Sequence, residues 1–161
     1  MALDPAGCAA KIGALLPNLG NIDFPAEFAA AYDAYGKEGL VIGAVNTGGD
    51  VGALEGALRS VTSATSSIDA MAQGYADYWA AVALVGDGSH GGAPVSVVND
   101  AAAKVSAFKG AIQASIGDVA KEPLYLEFIT NIESVVKSLV WTVIEAMPPL
   151  AVPTPFPEPI A

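Results

Sequence analysis

Gly86-Asp87-Gly88-Ser89-His90-Gly91 spells G-x-G-x-x-G, the pattern whose glycine amides approach a dinucleotide pyrophosphate. That chemistry needs a strand before the first glycine and a helix opening after the last. Neither flank fits. Val82 to Val85 continue an apolar seam of helical spacing, and Gly92 and Pro94 stand where the helix would begin. The segment reads as a loop, and no cofactor is expected. A second cluster, Thr47-Gly48-Gly49-Asp50-Val51-Gly52, offers free backbone amides at a helix start. It lacks the lysine of a phosphate-binding loop, and Asp50 would repel an anion. It reads as a glycine hinge followed by a helix that Asp50 or Thr47 can cap.

His90 is the single histidine and Cys8 the single cysteine. Asp87 and Asp100 with His90 make a poor donor set for zinc, so His90 reads as a solvated loop residue. Cys8 lies among small residues, Ala6-Gly7-Cys8-Ala9-Ala10, with no adjacent base to activate a thiol. It reads as a small buried apolar residue. The chain holds no Glu-x-x-His pair for a di-iron bundle, no G-x-S-x-G, no H-E-x-x-H and no EF-hand loop. No catalytic, cofactor-binding or metal-ligating residue is expected. An enzyme with a site near Gly86 to Gly92, built from Asp87, His90 and neighbouring carboxylates, is the least favoured reading.

Seventeen acidic residues face seven basic ones, a formal charge of -10. That field opposes phosphate backbones, so no nucleic-acid partner is expected. Tyr75, Tyr78, Trp79, Tyr125 and Trp141 are therefore expected in a core rather than on a base-stacking platform. No run of about 18 uncharged apolar residues exists, so no membrane partner is expected. The N-terminus lacks a basic start followed by an apolar stretch, which predicts a chain made and folded in a cytoplasm.

Alanine, with 31 residues, favours closely packed helices. Asp4 with Pro5 signals a first helix carrying Ile12, Leu15 and Leu16 and ending at Pro17. Asp23 and Pro25 open a second, with an aromatic stripe at Phe24, Phe28, Tyr32 and Tyr35 and a stop at Gly36 and Gly39. Leu40 to Val45 reads equally well as a short strand or an apolar turn. Steps of three and four from Val51 through Leu54, Leu58, Val61, Thr65, Ile68, Ala72, Tyr75 and Trp79 to Val82 predict one long third helix of about nine turns. Serines and threonines from Ser60 to Ser67 weaken its middle. A fourth helix is expected over Val98 to Val119. A fifth, opened by Pro123, carries two stripes, Phe128 to Val143 and Ile129 to Met147.

The expected fold is all-α: a bundle of three long antiparallel helices, with two short N-terminal helices covering an end or side. The expected domain is 1–147. Residues 148–161 hold six prolines interleaved with Leu150, Val152, Phe156 and Ile160, which predicts an extended arm. Fourteen such residues reach about 40 Å. Those four apolar residues are the expected partner-binding set, docking on copies of the chain or on other assembly proteins.

The opening Ala2-Leu3-Asp4-Pro5 and the stretch Ala70-Met71-Ala72-Gln73-Gly74-Tyr75-Ala76-Asp77-Tyr78-Trp79, ahead of a glycine-rich loop, resemble small alanine-rich tailed-phage virion proteins. The resemblance implies a non-enzymatic structural subunit of a head, neck, tail or baseplate, located in the virion after assembly in the host cytoplasm. The alternative is a non-viral helical adaptor or binding module.

Overall fold

A computed structural model describes residues 3–41, 44–60, 64–85, 95–116, 124–145 and 153–156. Within them the protein is mostly helical. The six α-helices are α1 (Pro5–Gly13), α2 (Phe24–Gly36), α3 (Val51–Arg59), α4 (Ala64–Ala80), α5 (Val105–Ile116) and α6 (Leu124–Lys137). Each packs on the next in sequence, and α6 returns to α1, closing a ring around one core. The expected all-α fold is corrected by six short strands: β1 (Leu40–Val41), β2 (Ala44–Gly48), β3 (Ala83–Val85), β4 (Val95–Asn99), β5 (Trp141–Glu145) and β6 (Pro153–Phe156). They form two antiparallel sheets, ordered β1-β2-β3 and β4-β5-β6.

The helix starts follow local chemistry. Asp4 accepts from the Gly7 amide at 3.0 Å, with Pro5 in the first helical position. Asp50 accepts from the Ala53 amide at 2.9 Å and opens α3, so the second glycine cluster is a turn with a cap. Asp23 makes no capping bond; its carboxylate meets Arg59 across α2 and α3 instead. The aromatic stripe of α2 is as expected: Phe28, Tyr32 and Tyr35 are buried and Phe24 packs against the core. Because Tyr32 lies at the centre of that core, α1 and α2 are members of the ring and not a cover.

The predicted third helix is two helices folded on each other. Leu54, Ala72, Tyr75, Trp79 and Val82 of its seam are buried, but α3 ends at Arg59, α4 runs from Ala64 to Ala80, and the expected helical continuation to Val85 is corrected by β3, which takes up Ala83–Val85. The Asp50 amide donates to the Tyr78 carbonyl at 3.4 Å, so the start of α3 lies beside the end of α4. The turn falls in the serine–threonine run, where side chains compete for backbone groups. Ser60 shows this, its hydroxyl donating to the Ala57 carbonyl at 2.7 Å. Gly74 permits the close crossing: a Cβ there would lie 2.5 Å from the Ala57 Cβ and 3.3 Å from the Ala53 carbonyl.

The fourth and fifth helices are shorter than expected. Val95 to Asn99 pairs with Trp141 to Glu145 in unbroken register, Val95 opposite Glu145 and Asn99 opposite Trp141. The stretch from Val140 to Ile144 is almost wholly β-branched or aromatic, which suits a pleated strand better than a helix. Of the segment Leu40 to Val45, Leu40–Val41 and Ala44–Val45 are strand, with Leu40 opposite Val45 and Val41 opposite Ala44; Ile42 and Gly43 lie outside the described residues. In the C-terminal segment the described residues, Pro153 to Phe156, form β6. They pair with β5 of their own chain, Phe156 opposite Trp141 and Pro153 opposite Ile144.

Candidate functional site

The chemistry-bearing side chains that the structure brings together lie inside the helical ring, not in the glycine loop. Tyr32 is the hub. Its ring meets those of Tyr35 at 5.4 Å, Tyr75 at 5.0 Å, Tyr78 at 5.3 Å and Trp79 at 6.3 Å, mostly edge to face. Its hydroxyl accepts from the Trp79 indole N–H at 3.0 Å. Trp79 meets Trp141 edge-on at 6.4 Å, so the cluster joins α2 and α4 to β5.

Two carboxylates are buried against this cluster, Asp33 and Glu133, each only 7% exposed. Both occur in the same arrangement. The Tyr78 hydroxyl donates to Asp33 Oδ1 at 2.9 Å, while Lys37 one turn on meets Oδ2 at 2.6 Å. The Tyr35 hydroxyl donates to Glu133 Oε2 at 2.7 Å, while Lys137 meets Oε1 at 2.5 Å. Each carboxylate thus has both oxygens engaged and each lysine keeps its head at the surface. The pairs tie α2 to α4 and α2 to α6. Burial pushes the phenol pKa of Tyr35 and of Tyr78 well above the usual tyrosine range, and the neighbouring carboxylates push it further, so both phenols stay protonated donors.

Glycines make room for one of these ties. Gly48 has φ +112, and a Cβ there would meet Asp33 Oδ1 at 2.6 Å. A Cβ at Gly36 would run into the Tyr78 hydroxyl, and one at Gly49 into the Tyr78 carbonyl. Asn46 completes the corner, donating to the Gly36 carbonyl at 2.6 Å and accepting from the Gly48 amide at 2.7 Å. Asn99 does the same for α4, donating to the Trp79 carbonyl at 2.7 Å. The strands therefore hold helix ends through asparagines whose side chains satisfy last-turn carbonyls.

Tyr78→Phe should cost about 1.5–3 kcal/mol, because it strips a hydrogen bond from a buried carboxylate. Lys37→Ala should cost at most about 1 kcal/mol, because the ammonium side chain is 49% exposed. Urea unfolding of the two variants checks this. Equal losses would mean that the tyrosine does not carry the tie.

Of the expected partner-binding residues, Phe156 lies in β6 opposite Trp141. Leu150, Val152 and Ile160 lie outside the described residues, as do the Gly86 to Gly92 loop and His90. Cys8 is buried, and burial pushes its thiol up to about 12. Among the described residues, no group of three or more His, Cys, Asp or Glu is placed to hold a metal ion, and no helix is long and apolar enough to cross a membrane. The Tyr75 hydroxyl and the Trp141 indole N–H are buried with no hydrogen-bond partner. Sequence reasoning missed the two tyrosine–carboxylate ties; Asp33 and Lys37, like Glu133 and Lys137, have the one-turn spacing of ordinary surface pairs. No family model, curated protein or solved structure matches the chain.

Proposed function

We propose that the protein is a non-enzymatic structural subunit of a larger assembly, docking to its neighbours through the C-terminal segment. The observation that carries this reading is the seat of β6. Pro153 to Phe156 adds to β5 of its own chain as the outer strand of the sheet, residue opposite residue. Strand addition of this kind gives affinity through main-chain bonds and is a recurrent way for an extended terminus to join a folded body. Leu150, Val152, Phe156 and Ile160 supply apolar anchors along the same segment, each worth about 1.5–3 kcal/mol when fully buried. The polar groups of the core support the reading too: Asp33 and Glu133 are spent on holding helices together. A component of a tailed-phage particle is the assembly that the opening residues and the Ala70 to Trp79 stretch suggest.

Deleting 149–161 tests the reading. The truncated chain should keep its helical circular dichroism and its cooperative melt, yet sediment as single chains where the intact protein associates. A truncated chain that assembles like the intact one would overturn it. An intact chain that stays single points instead to a helical adaptor.

A further inference from the structure

The helical ring repeats one unit three times: α1-α2-β1, then β2-α3-α4-β3, then β4-α5-α6-β5. Each unit opens its helical part at an aspartate, Asp4, Asp50 or Asp100, and runs through a helical hairpin into a strand. In the second and third units the entering and leaving strands pair with each other. The second helices of the hairpins are buried in step. Ala29, Ala72 and Ile129 match, then Tyr32, Tyr75 and Ile132, then Asp33, Ala76 and Glu133, all of them buried. The second helix of each unit packs on the first helix of the next: α2 on α3, α4 on α5, and α6 on α1. A ring of like units has like seams, and a seam that lacks what the others have is the weak one.

We propose that the ring has a built-in opening line at the seam between its second and third units. α4 and β3 part there from the α5–α6 hairpin, while the other two seams stay closed and every helix stays folded. This goes beyond the assembly reading and does not depend on it.

The buried ties are the first argument. The Tyr78 hydroxyl of the second unit holds Asp33 of the first, and the Tyr35 hydroxyl of the first holds Glu133 of the third. The matching tie of the remaining seam would run from Val135 in α6 to Ala76 in α4, and neither side chain can make it. Opening either of the other seams strips a buried carboxylate of its donor; opening this one does not.

The orphaned polar groups are the second argument. Trp79 of the second unit donates its indole N–H to the Tyr32 hydroxyl of the first. In step with them, the Tyr75 hydroxyl would be served by residue 136, which is valine. The Tyr75 hydroxyl is buried without a partner, and its ring lies against Phe108 and Phe128 of the third unit. The Trp141 indole N–H is the other unpartnered group, and its ring stands edge-on to Trp79. Both therefore sit at the same seam, and water entering there gives each a partner.

The strands are the third argument. Between the first and second units β1 pairs with β2. Between the second and third, β3 and β4 touch but belong to different sheets. The Asn99 side chain does cross this seam to the Trp79 carbonyl, as Asn46 crosses the first seam to the Gly36 carbonyl, so that bond does not distinguish them. Lys109 and Asp69 form an exposed ion pair across the outside, which adds little.

The two indole N–H groups make the test direct. The Trp141 group faces the proposed opening, and the Trp79 group is bonded across a seam that stays closed. Hydrogen exchange of both is followed by NMR in the intact chain under native conditions. The Trp141 indole proton should exchange at least about ten-fold faster than that of Trp79, with a weaker dependence on urea. A short bis-maleimide link in Asp69→Cys/Lys109→Cys staples α4 to α5 and should slow the Trp141 proton to the pace of Trp79. The same link in Asp23→Cys/Arg59→Cys staples α2 to α3 and should leave the difference intact. All four replaced residues are exposed ion-pair partners, and Cys8 is buried out of reach of the reagent. Exchange of both indole protons together, at the pace of global unfolding, overturns the proposal. So does fast exchange at Trp141 that the first link leaves unchanged or that the second link slows equally.

Discussion

Trp141→Ala should lower the unfolding free energy by about 3–5 kcal/mol, the range for deleting a fully buried aromatic. Trp141 has no exposed surface and stands edge-on to Trp79, whose indole is in turn bonded to Tyr32. It is also the residue through which β5 enters the core, opposite Asn99 on one side and Phe156 on the other. Removing it should loosen both the aromatic cluster and the seat of β6. Trp141→Phe should be far milder, within about 1.5 kcal/mol, because it keeps a ring in place and discards an indole N–H that has no partner. Urea unfolding followed by circular dichroism measures both. Equal losses from Ala and Phe would show that ring packing is not what Trp141 contributes.

Gly74→Ala and Gly56→Ala should change stability in opposite directions. Both glycines sit in helix interiors, where alanine is intrinsically better by about 1 kcal/mol. Gly56 is exposed on α3 with nothing near the position a Cβ would take, so the variant should gain up to about 1 kcal/mol. At Gly74 the new Cβ would lie 2.5 Å from that of Ala57, on the facing helix. Neither atom can rotate away, so α3 and α4 must separate, at a net cost of about 1–3 kcal/mol. One continuous helix through both positions would separate Gly74 from Ala57 by several turns, and both substitutions would then stabilise. The sign at Gly74 is therefore a direct test of the helical hairpin.

That hairpin shows how far the sequence could be read. The steps of three and four from Val51 to Val82 report that one face is buried, and at the described positions it is fully or partly so. Periodicity carries no information about what buries it. Two helices folded on each other and one long helix against a third body leave the same pattern. The signal for the break was composition: the polar run from Ser60 to Ser67 is the poorest helix stretch in the segment. The strand at β5 was hidden similarly, because Leu139 and Val143 also fall in phase with the stripe of α6. The helix caps at Asp4 and Asp50 and the stripe of α2 were legible because their causes are local.

The tyrosine–carboxylate ties were not legible, for the complementary reason. Asp33 and Lys37, like Glu133 and Lys137, are spaced as any exposed helix pair would be. What makes these carboxylates interior is a hydroxyl from a distant helix, Tyr78 for Asp33 and Tyr35 for Glu133. Positive φ at Gly48 and the close approach of Gly36 and Gly49 to Tyr78 belong to the same corner. These glycines are visible in the sequence, but the groups they admit are known only once the ring of helices has closed.

The central claim is that this folded helical body associates through its C-terminal strand. Sedimentation equilibrium of the intact chain over a wide concentration range tests it most directly. The account predicts a species of at least twice the 16.2 kDa chain mass that shifts toward single chains on dilution. A single 16.2 kDa species at every concentration would contradict it.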